Sequence, residues 1–150
     1  MYPDERVARF VADNFIPVRV HVRDQAEEFK RLGAKYSAQW TPTILVLDSD
    51  GAERHRIEGF LPAEDFLAQL KLGRAHAEFR RSAFSDAQRH FKAVVDDHPT
   101  SEVAAEALYW AGVSQYKATN DPAALGETAQ SFKDRFQDSS WAKKASVWDR

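Results

Sequence analysis

The sequence contains no cysteine, which excludes disulfides, thiolate zinc sites and cysteine nucleophiles from this chain. The same absence leaves the compartment open, because a chain without thiols tolerates any redox environment. Long apolar runs are missing as well: nothing approaches the roughly 18 residues of a membrane span, so no membrane partner is expected. The opening Met1-Tyr2-Pro3-Asp4-Glu5-Arg6 lacks the basic-then-apolar pattern of a signal peptide. The expectation is therefore a soluble, cytoplasmic protein. No charge of one sign predominates, the formal net charge being −2. Polyanion binders draw their affinity from Lys and Arg neutralising phosphates, so no nucleic acid is expected. There is no Gly-rich phosphate loop and no Gly-x-Ser-x-Gly elbow. His21, His55, His76, His90 and His98 form no i, i+4 pair with a helpful carboxylate, so no metal site is expected. Neither is a cofactor.

What remains is a chain of 150 residues, long enough for one domain or two small ones and able to bury roughly two-thirds of its unfolded surface. Pro3-Asp4-Glu5 opens a helix, with acids near the positive end of its dipole, and Val7, Phe10 and Val11 follow at helical spacing. Ile16 to Val22 reads as a strand whose Val18, Val20 and Val22 share one face and Arg19 and His21 the other. Asp24 to Glu27 has the capping-box arrangement of an N-cap acceptor with a carboxylate three residues on. Phe29, Leu32 and Tyr36 then give a helical stripe ending between Tyr36 and Gln39. Ile44 to Leu47 is apolar enough for a strand covered on both faces. Ser49-Asp50-Gly51 is a turn, Ala52 to Ile57 should return antiparallel, and Gly59 marks a break. Pro62-Ala63-Glu64-Asp65 opens another helix that carries Phe66, Leu67 and Leu70 inward.

From about Leu72 onward strand signals vanish. The rest is alanine-rich and helical, interrupted at Ser82 to Ser85, Asp97 to Ser101, Thr119 to Pro122 and Gln137 to Ser140. A shift of about 38 residues lays Ala87 on Leu125, Val94 on Phe132, Ser101 on Ser139, Ala104 on Ala142 and Ala107 on Ala145. Two degenerate helical repeats follow, with the segment from Trp141 as a cap or half-repeat.

Ile16 to Gly59 resembles the second half of thioredoxin: strand, helix, Thr-Pro-Thr leading into a strand, an Asp-Gly hairpin, and a Gly before the last helix. Lys35-Tyr36-Ser37-Ala38-Gln39-Trp40-Thr41-Pro42-Thr43 carries most of the likeness. The resemblance implies a cis Thr41–Pro42 bond, in a loop that presents backbone to extended peptides. It also implies a Cys-x-x-Cys motif, two strands and a helix that would lie before Met1, and two of those strands would flank Ile16 to Val22. Three resolutions of that unpaired strand stay open: the chain is a fragment of a longer protein, a partner or second copy supplies strands, or the strand re-pairs with Ile44 to Leu47. The later part resembles tetratricopeptide repeats, through Phe84-Ser85-Asp86-Ala87, Phe91 and His98-Pro99-Thr100-Ser101; the second repeat departs from the pattern with Gln137 where proline is usual. Fusions of these two kinds are known as folding helpers and oxidoreductases.

The expected fold class is thus α/β plus all-α: a partial thioredoxin-like β-α-β-β-α unit over residues 1–72, then a tetratricopeptide-like antiparallel helical array over residues 73–150. Two sets of residues stand out for binding peptide. Trp40, Thr41 and Pro42 form a contact ridge by the resemblance, or else Pro42 sets a turn and Trp40 packs inward. Tyr109, Trp110, Val113 and Tyr116 lie at helical spacing where the repeat groove is expected, and the same spacing also describes core. Lys71, Arg74, Arg80, Arg81, Arg89 and Lys92 interleave with Glu78, Asp86, Asp96 and Asp97, the pattern of a solvated mixed-charge face. The leading functional expectation is a non-catalytic interaction module, chaperone-like or scaffold, with a protein or peptide partner. The alternatives are the C-terminal part of a thiol-disulfide oxidoreductase whose Cys-x-x-Cys lies upstream of Met1, and a homodimer formed by strand exchange.

Overall fold

The computed structural model describes residues 3–149, which fall into two compact units, one ending at Leu67 and one beginning at Ala68.

In the first unit, α1 spans Glu5–Asn14. Asp4 caps it: Arg6 N–H donates to Asp4 Oδ1 at 2.8 Å, satisfying one of the amides that a helix start leaves unpaired. Arg6 also bridges Asp4 and Glu64, at 2.9 and 2.8 Å. α2 spans Ala26–Tyr36. Its start corrects the capping-box reading, because the N-cap is Gln25 and makes no side-chain cap bond. His21 organises the turn instead: its Nδ1 accepts from Arg23 and Asp24 N–H at 3.3 and 3.2 Å, and its own N–H donates to Gln25 Oε1 at 2.9 Å.

β1 (Thr43–Leu47) and β2 (Glu53–Glu58) form an antiparallel two-stranded sheet with Ile44 opposite Ile57 and a bulge between Val46 and Leu47. Gly51 closes the turn at φ +83° and donates to Asp48 O at 2.9 Å, a backbone conformation that favours glycine. Two sequence expectations fail here. Residues 15–21 lie outside any strand, with Ile16 and Val18 94% and 82% exposed; alternation equips a segment for a ladder, and none of the described residues supplies the neighbour it needs. β1 is also not covered on both faces: Val46 alone is buried, Ile44 and Leu45 are half-buried, and Leu47 is exposed. A sheet of two strands leaves much of its surface to solvent.

α3 (Ala63–Arg80) runs through the division between the units. Its Phe66 and Leu67 are buried in the first unit, with Val7, Val46 and Ile57; its Ala68, Leu72 and Ala75 are buried in the second. There α4 (Phe84–Asp97), α5 (Ala104–Thr119), α6 (Ala123–Asp134), α7 (Ser140–Ala145) and a terminal 3-10 turn, Ser146–Trp148, follow. α4 packs on α5, α5 on α6, and α6 and α5 on α7. Three of the breaks fall where Ser82, Asn120 and Phe136 take left-handed backbone, at φ 63°, 57° and 58°. Phe91, Leu72 and Val94 are fully buried at the centre of the main core. A second cluster gathers Ala105, Phe132 and Ala145 with Tyr109, Trp141 and Trp148 around them. Among the described residues, no helix is long and apolar enough to cross a membrane.

Candidate functional site

The loop between α2 and β1 is built from its ends inward. α2 stops where Ser37 turns left-handed at φ 53° and donates to Gly33 O. Its exposed C-terminal carbonyls are met by Arg56 of β2, whose guanidinium bonds Tyr36 O and, at 3.4 Å, Ser37 O, a cation placed against the negative end of the helix. Glu53 and Glu58 hold the other donors of Arg56 at 2.7 and 3.0 Å, and bonding to these two carboxylates pushes its proton affinity further up. Tyr36 OH donates to Gly51 O at 3.0 Å, tying α2 to the hairpin turn. On the strand side, Thr43 Oγ1 donates to Trp40 O at 2.6 Å, and Gly59 N–H donates to Pro42 O at 2.9 Å.

Between these anchors the Thr41–Pro42 bond is cis. Trp40 is 67% exposed, and Thr41 and Pro42 are exposed beside it. The structure thus brings the three residues of the expected ridge together and turns the Trp40 ring outward rather than into the core. Phe60, 76% exposed, follows directly on Gly59 and therefore emerges at the same end of the hairpin. Sequence reasoning passed over both Phe60 and Arg56; the usable signal was the register, which sets Gly59 opposite Pro42.

The four residues on α5 are placed differently. Tyr109 stacks on Trp148 at 4.7 Å and tilts against Trp141 at 5.2 Å. Trp110 stands edge-on to His76 and Phe79, at 5.6 and 5.2 Å. Tyr109 and Trp110 thus serve two different clusters, and both, like Val113 and Tyr116, are half-buried. A cavity of about 540 Å³ opens between the start of α5 and the α6–α7 connection, with Glu102, Asp134 and Asp138 on its wall. Another of about 380 Å³ lies among Phe132, Lys133 and Lys143. None of the four α5 residues lines either one. The charged zone on α3 and α4 pairs with itself: Lys71 with Asp97, Arg89 with Asp86 and Lys92 with Asp96, at 3.1, 2.9 and 3.1 Å. Burial pushes Arg74 toward easier deprotonation. Among the described residues, no group of three or more His, Asp or Glu is placed to hold a metal ion.

Residues 2–74 match the family model of the thioredoxin-like domain, which supports a thioredoxin-like domain over that stretch. No curated protein and no solved structure matches the chain.

Proposed function

We propose that this chain is a protein-interaction module without chemistry of its own, in which a thioredoxin-like domain is joined to a tetratricopeptide-like helical array. The partner is an extended peptide segment. It lies along Trp40, Thr41 and Pro42, and the half-buried Val113 and Tyr116 of α5 form a separate contact surface on the second unit. One observation carries the reading: a solvent-facing aromatic and two exposed neighbours held from both sides by Arg56, Tyr36, Thr43 and Gly59, in a chain without a thiol. Such a ridge is already ordered, so a ligand meets it without the usual entropic cost of fixing a loop, and rigidly mounted loops are where binding residues concentrate.

The test is calorimetry of the whole chain against a panel of unstructured peptides of about a dozen residues. Binding peptides are expected, and Trp40→Ala should weaken them about thirtyfold, the ~2 kcal/mol of a central aromatic anchor. Tyr116→Ala reports the α5 contact separately. Uniform failure of the panel to bind, or affinity untouched by Trp40→Ala, would refute the ridge.

A further inference from the structure

The first unit holds two halves of an unmade ladder. Gly59 N–H donates to Pro42 O, so these two residues form a hydrogen-bonded pair, and the one-to-one register makes Ile44–Ile57 and Val46–His55 the next such pairs. Thr43 and Leu45 therefore point their N–H and C=O groups away from β2. Those groups have no hydrogen-bond partner among the described residues. This edge is also unguarded. β2 carries Glu53, Arg54, Arg56 and Glu58, the charges that normally deter strand addition, whereas β1 reads Thr-Ile-Leu-Val-Leu.

The other half is the segment Ile16 to Val20. It is non-helical, its main chain has no hydrogen-bond partner among the described residues, and Ile16 and Val18 stand in solvent. Pro17 suits such a strand, since proline is tolerated where one side of a ladder is open. We propose that two copies of this chain associate by reciprocal strand exchange, the Ile16–Val20 segment of each adding to the β1 edge of the other. A second copy is the occupant that both features select. A foreign strand on β1 would leave the Ile16–Val20 main chain unpaired, whereas a two-fold exchange pairs the β1 edge and this segment of both copies at once and closes as a dimer. The small net charge of −2 adds little repulsion between copies.

Light scattering at about 0.5 mM should give the mass of two chains, falling toward one on dilution. Leu45→Pro is the discriminating variant: it removes an outward N–H while leaving every β1–β2 bond in place, so far-UV circular dichroism should be unchanged. The loss of one outward donor per copy should weaken association by roughly ten- to a hundredfold. Val18→Arg attacks the other half and should do the same. Amide exchange should show Val18, Val20, Thr43 and Leu45 protected only in the dimer. A monomer at the highest concentration reached, or a dimer indifferent to both variants with those amides unprotected, overturns the proposal. Neither result bears on peptide binding at Trp40.

Discussion

Phe91 has no exposed surface, and its ring meets the imidazole of His76 edge-on at 5.0 Å. Truncation to Ala deletes that contact and opens a void at the centre of the main core, so Phe91→Ala should cost about 3–5 kcal/mol, read as a lower urea midpoint of the second unit. Ser114 makes the opposite case. Its hydroxyl is fully buried and finds no hydrogen-bond partner among the described residues. A desolvated donor without an acceptor is a standing penalty, so Ser114→Ala should raise stability by about 1 kcal/mol in the same titration. Trp40 belongs to neither class, because its ring contributes exposure rather than burial. Replacing it should leave the melting behaviour nearly unchanged while altering ligand binding, a combination that separates a contact residue from a structural one.

Helices α5 and α6 approach closely at Gly112, where an added Cβ would lie 2.8 Å from Thr128 Cβ and Cγ2. Gly112→Ala should therefore wedge the pair apart at about 1–3 kcal/mol, and adding Thr128→Ala should recover part of that loss, measurable as a coupling in a double-mutant cycle. α7 depends on its cap: Ser139 Oγ accepts from Ala142 N–H at 3.0 Å, so Ser139→Ala should lower stability by about 1 kcal/mol while Ser139→Asp largely preserves it. Most elements were legible in the sequence because their signals are local. The breaks between the later helices, the Asp-Gly turn, and the hairpin with its glycine exit all follow from backbone preferences of single residues. The cis loop and the thioredoxin-like domain were legible by resemblance to a known pattern. What misled was any signal needing a distant partner. Val18, Val20 and Val22 alternate as a strand should, but alternation says nothing about who pairs with them. Asp24 resembled a cap, yet the His21 imidazole lies within reach of the same turn and takes its amides. Arg56 was invisible as an organiser because its acceptors are carbonyls nineteen and twenty residues away.

Across the whole chain the two units differ in how deeply they are buried. The first relies on Val7, Val46, Ile57, Phe66 and Leu67, whereas most of the buried apolar side chains lie in the second. A two-stranded sheet is marginal by itself, so native-state hydrogen exchange should release the amides of β1 and β2 before those of α4 and α5. Acid should act on the first unit too. Hydrogen bonding to Arg6 holds the Asp4 carboxyl below its ordinary range, and Arg31 does the same for Glu28. Because both are depressed in the folded state, the small contribution of these exposed pairs is complete above about pH 5 and is lost as pH falls through their lowered values. The thermal midpoint should fall slightly in that window, and Arg6→Ala should flatten its dependence on pH. One consequence concerns α3. Since the division between the units falls inside this helix, cutting the gene there would leave the first piece with Ala63 to Leu67 alone, a stub too short to stay coiled. It would also strip the other piece of the turn that precedes Ala68. Neither fragment inherits a finished end, and each core takes side chains from this helix, so a first piece should run on to Ser82 and a second should begin at Gly59, both keeping α3 whole.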